Sequence, residues 1–240
     1  MKKIISVFVI LVMGMALFTA CGSSGGKVLS YNLLADDTYE VSISVEPLKV
    51  KGKLKIPAKY KGKEVTQIAR GAFRDCKNLS AITLPETITY IGSKAFSNTG
   101  IWNESKSNSV VYIGNWAIGY KGDSDTLTDL TIKKGTIGIA EYAFAFQEEL
   151  ESVIIPDSVT SIADYAFAGC DKLTSVIIPK NVTMIGDTAF TTAMIRHGRE
   201  DQEPLTIYVE VPSKPDGWSD NWVDNRRGER ALVIEWGYED

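Results

Sequence analysis

One dipeptide constrains what this chain can become. Ala-Phe stands at Ala72-Phe73, Ala95-Phe96, Ala143-Phe144, Ala166-Phe167 and Ala189-Phe190, at steps of 23, 48, 23 and 23 residues. The long step holds two units plus two residues, so one further coil is expected without the signature. A proline that closes an apolar run lies ten residues before Ala-Phe at Pro85, Pro156 and Pro179, and Lys133 stands in that place before Ala143. A fixed period of about 20–50 residues signals a solenoid. Each unit is too small to bury its own apolar face, so it folds by stacking on its neighbours.

The coil from Leu150 shows the unit. Leu150, Val153 and Ile155 precede Pro156; Val159 and Ile162 follow; then come Ala166-Phe167, Cys170 and Leu173. The same start recurs as Leu79/Ile82/Leu84, Leu127/Leu130/Ile132 and Leu173/Val176/Ile178. Short β-branched runs that alternate in polarity read as strands, and proline ends them because it cannot donate to a ladder. The Val-x-x-Ile segment reads as a second short strand and the Ala-Phe segment as a helical turn, with Phe plugging the interior. Alternation puts the leucine-type positions inward and their neighbours outward. The outward columns are then Thr83, Thr131, Ile154, Ile177, Glu210; Ala81, Asp129, Ser152, Ser175, Tyr208; and Ser80, Thr128, Glu151, Thr174. Ile154 and Ile177 fall side by side near Tyr208.

The unit Leu-x-x-Ile-x-Leu-Pro-x-x-Val-x-x-Ile-Gly-x-x-Ala-Phe-x-x-Cys-x-x-Leu resembles the BspA-type leucine-rich repeat of bacterial surface proteins, over roughly residues 54–195. The resemblance implies a β-rich leucine-rich-repeat solenoid. Parallel strands would line one face, with short second strands and helical turns on the other, between N- and C-terminal caps. Tyr31–Leu34 and Tyr39–Ile43, about the Asp36-Asp37 turn, read as a capping hairpin. Ile207–Trp218, with Trp222 and Trp236-Gly237-Tyr238, is similar to the family's closing segment. Within the long step, Val110–Ile113 and Trp116–Ile118 flank Gly114-Asn115, a two-residue turn suited to a tight hairpin, expected to stand out from the regular stack. The last Ala-Phe coil has Ala193 and Arg196 where its neighbours have Cys and Leu, as suits a coil giving way to a cap.

The first residues read as an address. Lys2 and Lys3 precede an apolar run from Ile4 to Phe18, too short for a ~30 Å hydrocarbon core and suited to a secretory signal. Phe18-Thr19-Ala20-Cys21 resembles a bacterial lipoprotein signal, with Phe18 where leucine is usual. The resemblance implies diacylation of Cys21 as the mature N-terminus, two acyl chains being enough for stable anchoring. The spacer Gly22–Gly26 then reaches roughly 12 Å. The expected organisation is a signal at 1–20, a lipidated cysteine and spacer at 21–27, a β cap at 28–63, repeats at 64–200 with a hairpin near 110–120, and a cap at 201–240.

Composition removes other chemistries. Net charge is −4, with 26 Lys+Arg against 30 Asp+Glu, which argues against a nucleic-acid partner. The chain has one histidine, His197, in a polar stretch that reads as a solvated loop. That excludes a His-rich metal site and leaves any catalytic triad to that single residue. Asp123-Ser124-Asp125 lacks the later ligands of a calcium loop, and Glu148, Glu149 and Glu151 read as a solvated face. Cys76 and Cys170 hold equivalent places about four coils apart, roughly 19 Å at strand spacing, too far for a disulfide; both are expected as buried thiols. No cofactor, metal or catalytic residue is expected. The expectation is a non-enzymatic, membrane-anchored, extracytoplasmic recognition protein. Its partner is an envelope or host protein held on the outward strand face, through Thr83, Thr131, Ile154, Ile177, Asp129, Ser152, Ser175, Tyr208 and Glu210. Binding of a polysaccharide through Trp218 and Trp222, near Asp216, Asp220 and Asp224, is the alternative, and a hydrolase a distant third.

Overall fold

The structure is a computed structural model that describes residues 28–191, 204–223 and 232–239. Cys21, His197, Ala193, Arg196, Asp224 and the signal segment lie outside those residues. The chain winds as a β-solenoid of about seven turns with almost no helix. A hairpin of β1 (Leu29–Leu33) and β2 (Tyr39–Ile43) opens it. Next come β3 (Gly52–Lys55), β4 (Lys59–Tyr60), β5 (Lys63–Ile68), β6 (Leu79–Thr83) and β7 (Tyr90–Ile91). A short helix α1 (Gly100–Glu104) leads to β8 (Ser109–Ile113) and β9 (Trp116–Lys121). The regular coils follow as β10 (Asp129–Thr131), β11 (Gly138–Ile139), β12 (Ser152–Ile154), β13 (Ser161–Ile162), β14 (Ser175–Ile178) and β15 (Met184–Ile185). Strands β16 (Leu205–Val209) and β17 (Leu232–Trp236) close the chain. Among the described residues no helix is long and apolar enough to cross a membrane.

Two parallel ladders organise the C-terminal coils. The leucine-type strands pair in the order β10-β12-β14-β16-β17, and the second strands, with the hairpin, in the order β15-β13-β11-β9-β8. The inward positions alternate as the pattern requires: Leu130, Val153, Val176 and Ile207 are buried while their strand neighbours face out.

The Ala-Phe segments form a third ladder and are not helical turns. Every second N–H crosses to the neighbouring coil: Phe73 to Ala95 O at 2.8 Å, Phe144 to Ala166 O at 2.9 Å and Phe167 to Ala189 O at 2.8 Å. The N–H groups between them close turns onto carbonyls three residues back, as Ala143 does to Ala140 O. Left-handed residues such as Tyr142 (φ 57°), Tyr165 (φ 55°) and Thr188 (φ 50°) break any helical run and aim alternate amides at the next coil. The rings follow. Phe73 stacks on Phe96 at 5.4 Å, Phe144 on Phe167 at 5.4 Å, and Phe167 on Phe190 at 5.2 Å.

The ladders break once, between the second Ala-Phe coil and the third. Strand β6 pairs with β3 in a separate two-stranded sheet, and β7 pairs with β5. The hairpin is not a projection from the stack, contrary to the sequence expectation. β9 pairs in parallel with β11, Trp116 beside Gly138 and Ala117 beside Ile139. The coil that lacks Ala-Phe therefore supplies a strand to the second ladder, and Trp116, 2% exposed, fills the place beside Gly138.

The break is closed by side chains. The free edge of β7 offers its carbonyls to other groups: Ile91 O accepts from Glu141 N–H at 3.0 Å and Thr89 O from Ser161 Oγ at 3.1 Å. The Glu141 carboxylate has no exposed surface. It takes both nitrogens of a fork from Arg70, with Nε at 2.9 Å, and the Ser93 N–H at 2.7 Å. Tyr90 OH donates to Asp164 at 3.2 Å, and burial raises the pKa of both groups.

Candidate binding surface

The outward face of β10-β12-β14-β16-β17 carries two columns. One runs Asp129, Ser152, Ser175, Thr206, Val233, and the other Thr131, Ile154, then Ile177 beside Tyr208 and Tyr208 beside Glu235. The polar column begins with a small network: Ser152 Oγ donates to Asp129 at 2.6 Å and Thr128 Oγ1 at 3.0 Å, which holds the Asp129 carboxyl below its usual range. In the second column Ile154 is 61% exposed, and Tyr208 rests against Tyr238 with ring centroids 4.8 Å apart.

Four residues depart from the expected columns: Tyr208, Glu210, Thr83 and Ala81. Tyr208 sits beside Ile177 and not beside Ser175, whose partner is Thr206. Glu210 lies past the strand end, where its carboxylate accepts the Lys180 N–H at 2.8 Å. Thr83 and Ala81 leave the columns altogether, since β6 pairs with β3, Thr83 beside Lys55 and Ala81 beside Lys53. The structure thus brings together Asp129, Thr131, Ser152, Ile154, Ser175, Ile177 and Tyr208, and separates Thr83 and Glu210 from them.

The tryptophans do not form a sugar platform. Trp218 is 2% and Trp222 3% exposed. Trp218 donates Nε1–H to Val182 O at 3.0 Å and packs on Trp222 at 4.9 Å, while Trp222 meets Phe190 edge-on at 6.2 Å. Phe190 N–H bonds to Trp222 O, so this segment ends the Ala-Phe ladder. Rings covered by other rings cannot stack on a sugar, which removes the polysaccharide contact expected of these two residues. Asp216 and Asp220 lie at the surface, and Lys214 Nζ holds Asp220 at 2.6 Å.

The two cysteines are buried free thiols. Burial pushes Cys76 up to about 11 and Cys170 to about 12, and Cys170 Sγ lies 3.2 Å from Phe144 O. Neither has the thiolate character of a nucleophile. Among the described residues no group of His, Cys, Asp and Glu is placed to hold a metal.

Two concave features escaped the sequence reading. The missing Ala-Phe turn leaves a notch of about 620 Å³, lined by Trp102, Tyr120, Tyr142 and Phe146 above Glu141. A second groove of about 950 Å³ runs past β3 and β4, lined by Lys53, Lys55, Lys59 and Lys61. Its signal was available: seven lysines and no carboxylate between Lys49 and Lys63.

Parallel coils of one length, an interlocked Phe ladder and an outward strand face define a leucine-rich-repeat solenoid. The chain belongs to the family of the BspA type leucine rich repeat region, whose model matches residues 53–121 and 120–198 in six copies. A leucine rich cell surface protein from Faecalibacterium prausnitzii is similar at 21% identity over 85% of this chain and 58% of its own, with a TM-score of 0.33. The T. pallidum leucine rich repeat protein is similar at 20% identity over 90% and 83%, TM-score 0.36, and the pneumococcal vaccine antigen PcpA at 19% over 79% and 50%, TM-score 0.31. The chain thus spans less than two thirds of the first of these. A search of curated proteins found no match.

Proposed function

We propose that this chain is a non-enzymatic recognition protein outside the cytoplasm, held to a membrane by lipid on Cys21, that binds a protein partner across β10-β12-β14-β16. The observation that carries this reading is the run of Ile154, Ile177 and Tyr208 in neighbouring strands, on a face whose backbone is already satisfied by the ladder. Apolar side chains scattered singly on a surface need no explanation, but a contiguous run with an aromatic at its end is the composition of an interface core. The polar column beside it, Asp129, Ser152, Ser175 and Thr206, supplies a rim. The aim of binding is adhesion or assembly at the cell surface, and the tether restricts the partner to what lies near the membrane or on an outer surface. The test is affinity capture from the native envelope with the protein and with its Ile154→Lys/Ile177→Lys variant, after matched thermal melts. A protein held by the parent and lost by the variant supports the reading. Equal capture by both sinks it.

A further inference from the structure

We propose that the lysine-lined groove at the first coil is a second binding site, specific for an anionic polysaccharide. The stretch from Lys49 to Lys63 carries +7 in a chain whose net charge is −4. The fold gathers four of these lysines on one groove. Lys53 and Lys55 flank buried Leu54 on β3, so alternation sends both to the same side about 7 Å apart along the strand. Lys59 and Lys61 reach the groove from β4 and the turn after it, and the lining holds no carboxylate. None of the four joins an ion pair among the described residues, whereas Lys63, outside the groove, pairs with Asp37. Glu64 stands across from Lys59 on β5 and Lys61 Nζ lies 5.7 Å from the Tyr60 ring centroid, which leaves the groove with an excess of positive charge. A cleft lined by one sign of charge against low-dielectric walls concentrates its field and draws counter-ions.

The shape and lining narrow the ligand. A flat bilayer would meet a plane or a ridge of lysines, but these stand around a recess. Its lining between the lysines is apolar and half-buried, with Tyr31, Pro57, Leu84 and Pro85 each keeping part of their surface exposed. A chain of sugar rings presents C–H faces to such a lining while its carboxylates or phosphates meet the ammonium groups at the rim. Strand β3 is paired by β6 alone, and the end of β6 joins it in lining the groove through Thr83. This site is independent of the strand face, and each survives failure of the other.

The test is a binding titration of the full-length protein with polygalacturonate as probe. Dextran serves as the neutral control, with phosphatidylglycerol vesicles and a single-stranded oligonucleotide of matched charge as rival anions. The expected result is saturable polygalacturonate binding that weakens about tenfold on raising salt severalfold. The Lys53→Ser/Lys55→Ser/Lys59→Ser/Lys61→Ser variant should lose about tenfold or more in affinity, and a Lys134→Ser/Lys180→Ser control should match the parent. Singly substituted Lys53→Gln and Lys59→Gln proteins repeat the comparison if the fourfold variant melts early. Absence of polygalacturonate binding, equal binding by dextran, equal binding by the fourfold variant, or tighter binding of vesicles or oligonucleotide would each overturn the proposal.

Discussion

Phe167 has a phenylalanine ring stacked on each side, and it is 1% exposed. Phe167→Ala should therefore cost about 3–5 kcal/mol, as for a large aromatic removed from a packed core. Phe146→Ala, at a ring 58% exposed, should stay within about 0.5 kcal/mol. Paired urea melts check both. The thiols give a second expectation. Cys76 and Cys170 hold their protons in the fold to about 11 and about 12, against an ordinary value of 9.0. Above pH 9 the unfolded chain releases these protons while the folded chain keeps them, so stability falls as pH climbs from 9 toward 11. Melting temperatures across that window should decline, and a Cys76→Ala/Cys170→Ala variant should decline less steeply. The phenylalanine ladder and the buried thiols were legible because a 23-residue period returns each residue to the same place in the next coil. The tryptophans were not: an aromatic, acidic segment reads the same in sequence whether its rings face a sugar or one another.

At the level of strands, the leucine-type strands follow from alternation alone, and so does the inward set. The register of the last pair does not. Aligning Pro212 with Pro179 places Tyr208 beside Ser175, but Val209 pairs with Ile178 and the proline falls beyond the strand. The closing strand arrives through a longer connection than the repeats use, so the period no longer fixes its register. The coil without Ala-Phe shows the reverse case. Its hairpin turn was legible in Gly114-Asn115, while the pairing of β9 with β11 depends on a close approach of Trp116 to Gly138 that spacing does not encode. A Cβ on Gly138 would lie 2.4 Å from the buried indole. Gly138→Ala should thus force the ring aside and cost about 1–3 kcal/mol, the range for overpacking. Pairing it with Trp116→Leu should recover part of that loss, a coupling that a double-mutant cycle reads directly.

The molecule as a whole depends on how its first coils meet the regular stack. Period and alternation are silent here, because Arg70 and Glu141 lie 71 residues apart with the irregular coil between them. Arg70→Ala leaves the covered Glu141 carboxylate with the Ser93 N–H and no cation. The arginine is 65% exposed, so solvent screens part of the attraction, and a cost of about 1–3 kcal/mol is expected. Lys172→Ala, which breaks the exposed pair with Glu149, should cost less than about 1 kcal/mol. Hydrogen exchange would separate the two: the arginine change should speed exchange at Glu141 and Gly92 and leave the amides of β14 protected. The regular coils beyond this joint present the flat ladder on which Ile154, Ile177 and Tyr208 stand.

That surface can be interrogated in the living cell. A photo-crosslinking amino acid placed at Ile177, and separately at exposed Met184 on β15 in the other ladder, would be activated in cells that carry the anchored protein. The account predicts a discrete protein adduct from position 177 that is absent from position 184. No adduct from 177, or the same adduct from both positions, would contradict it.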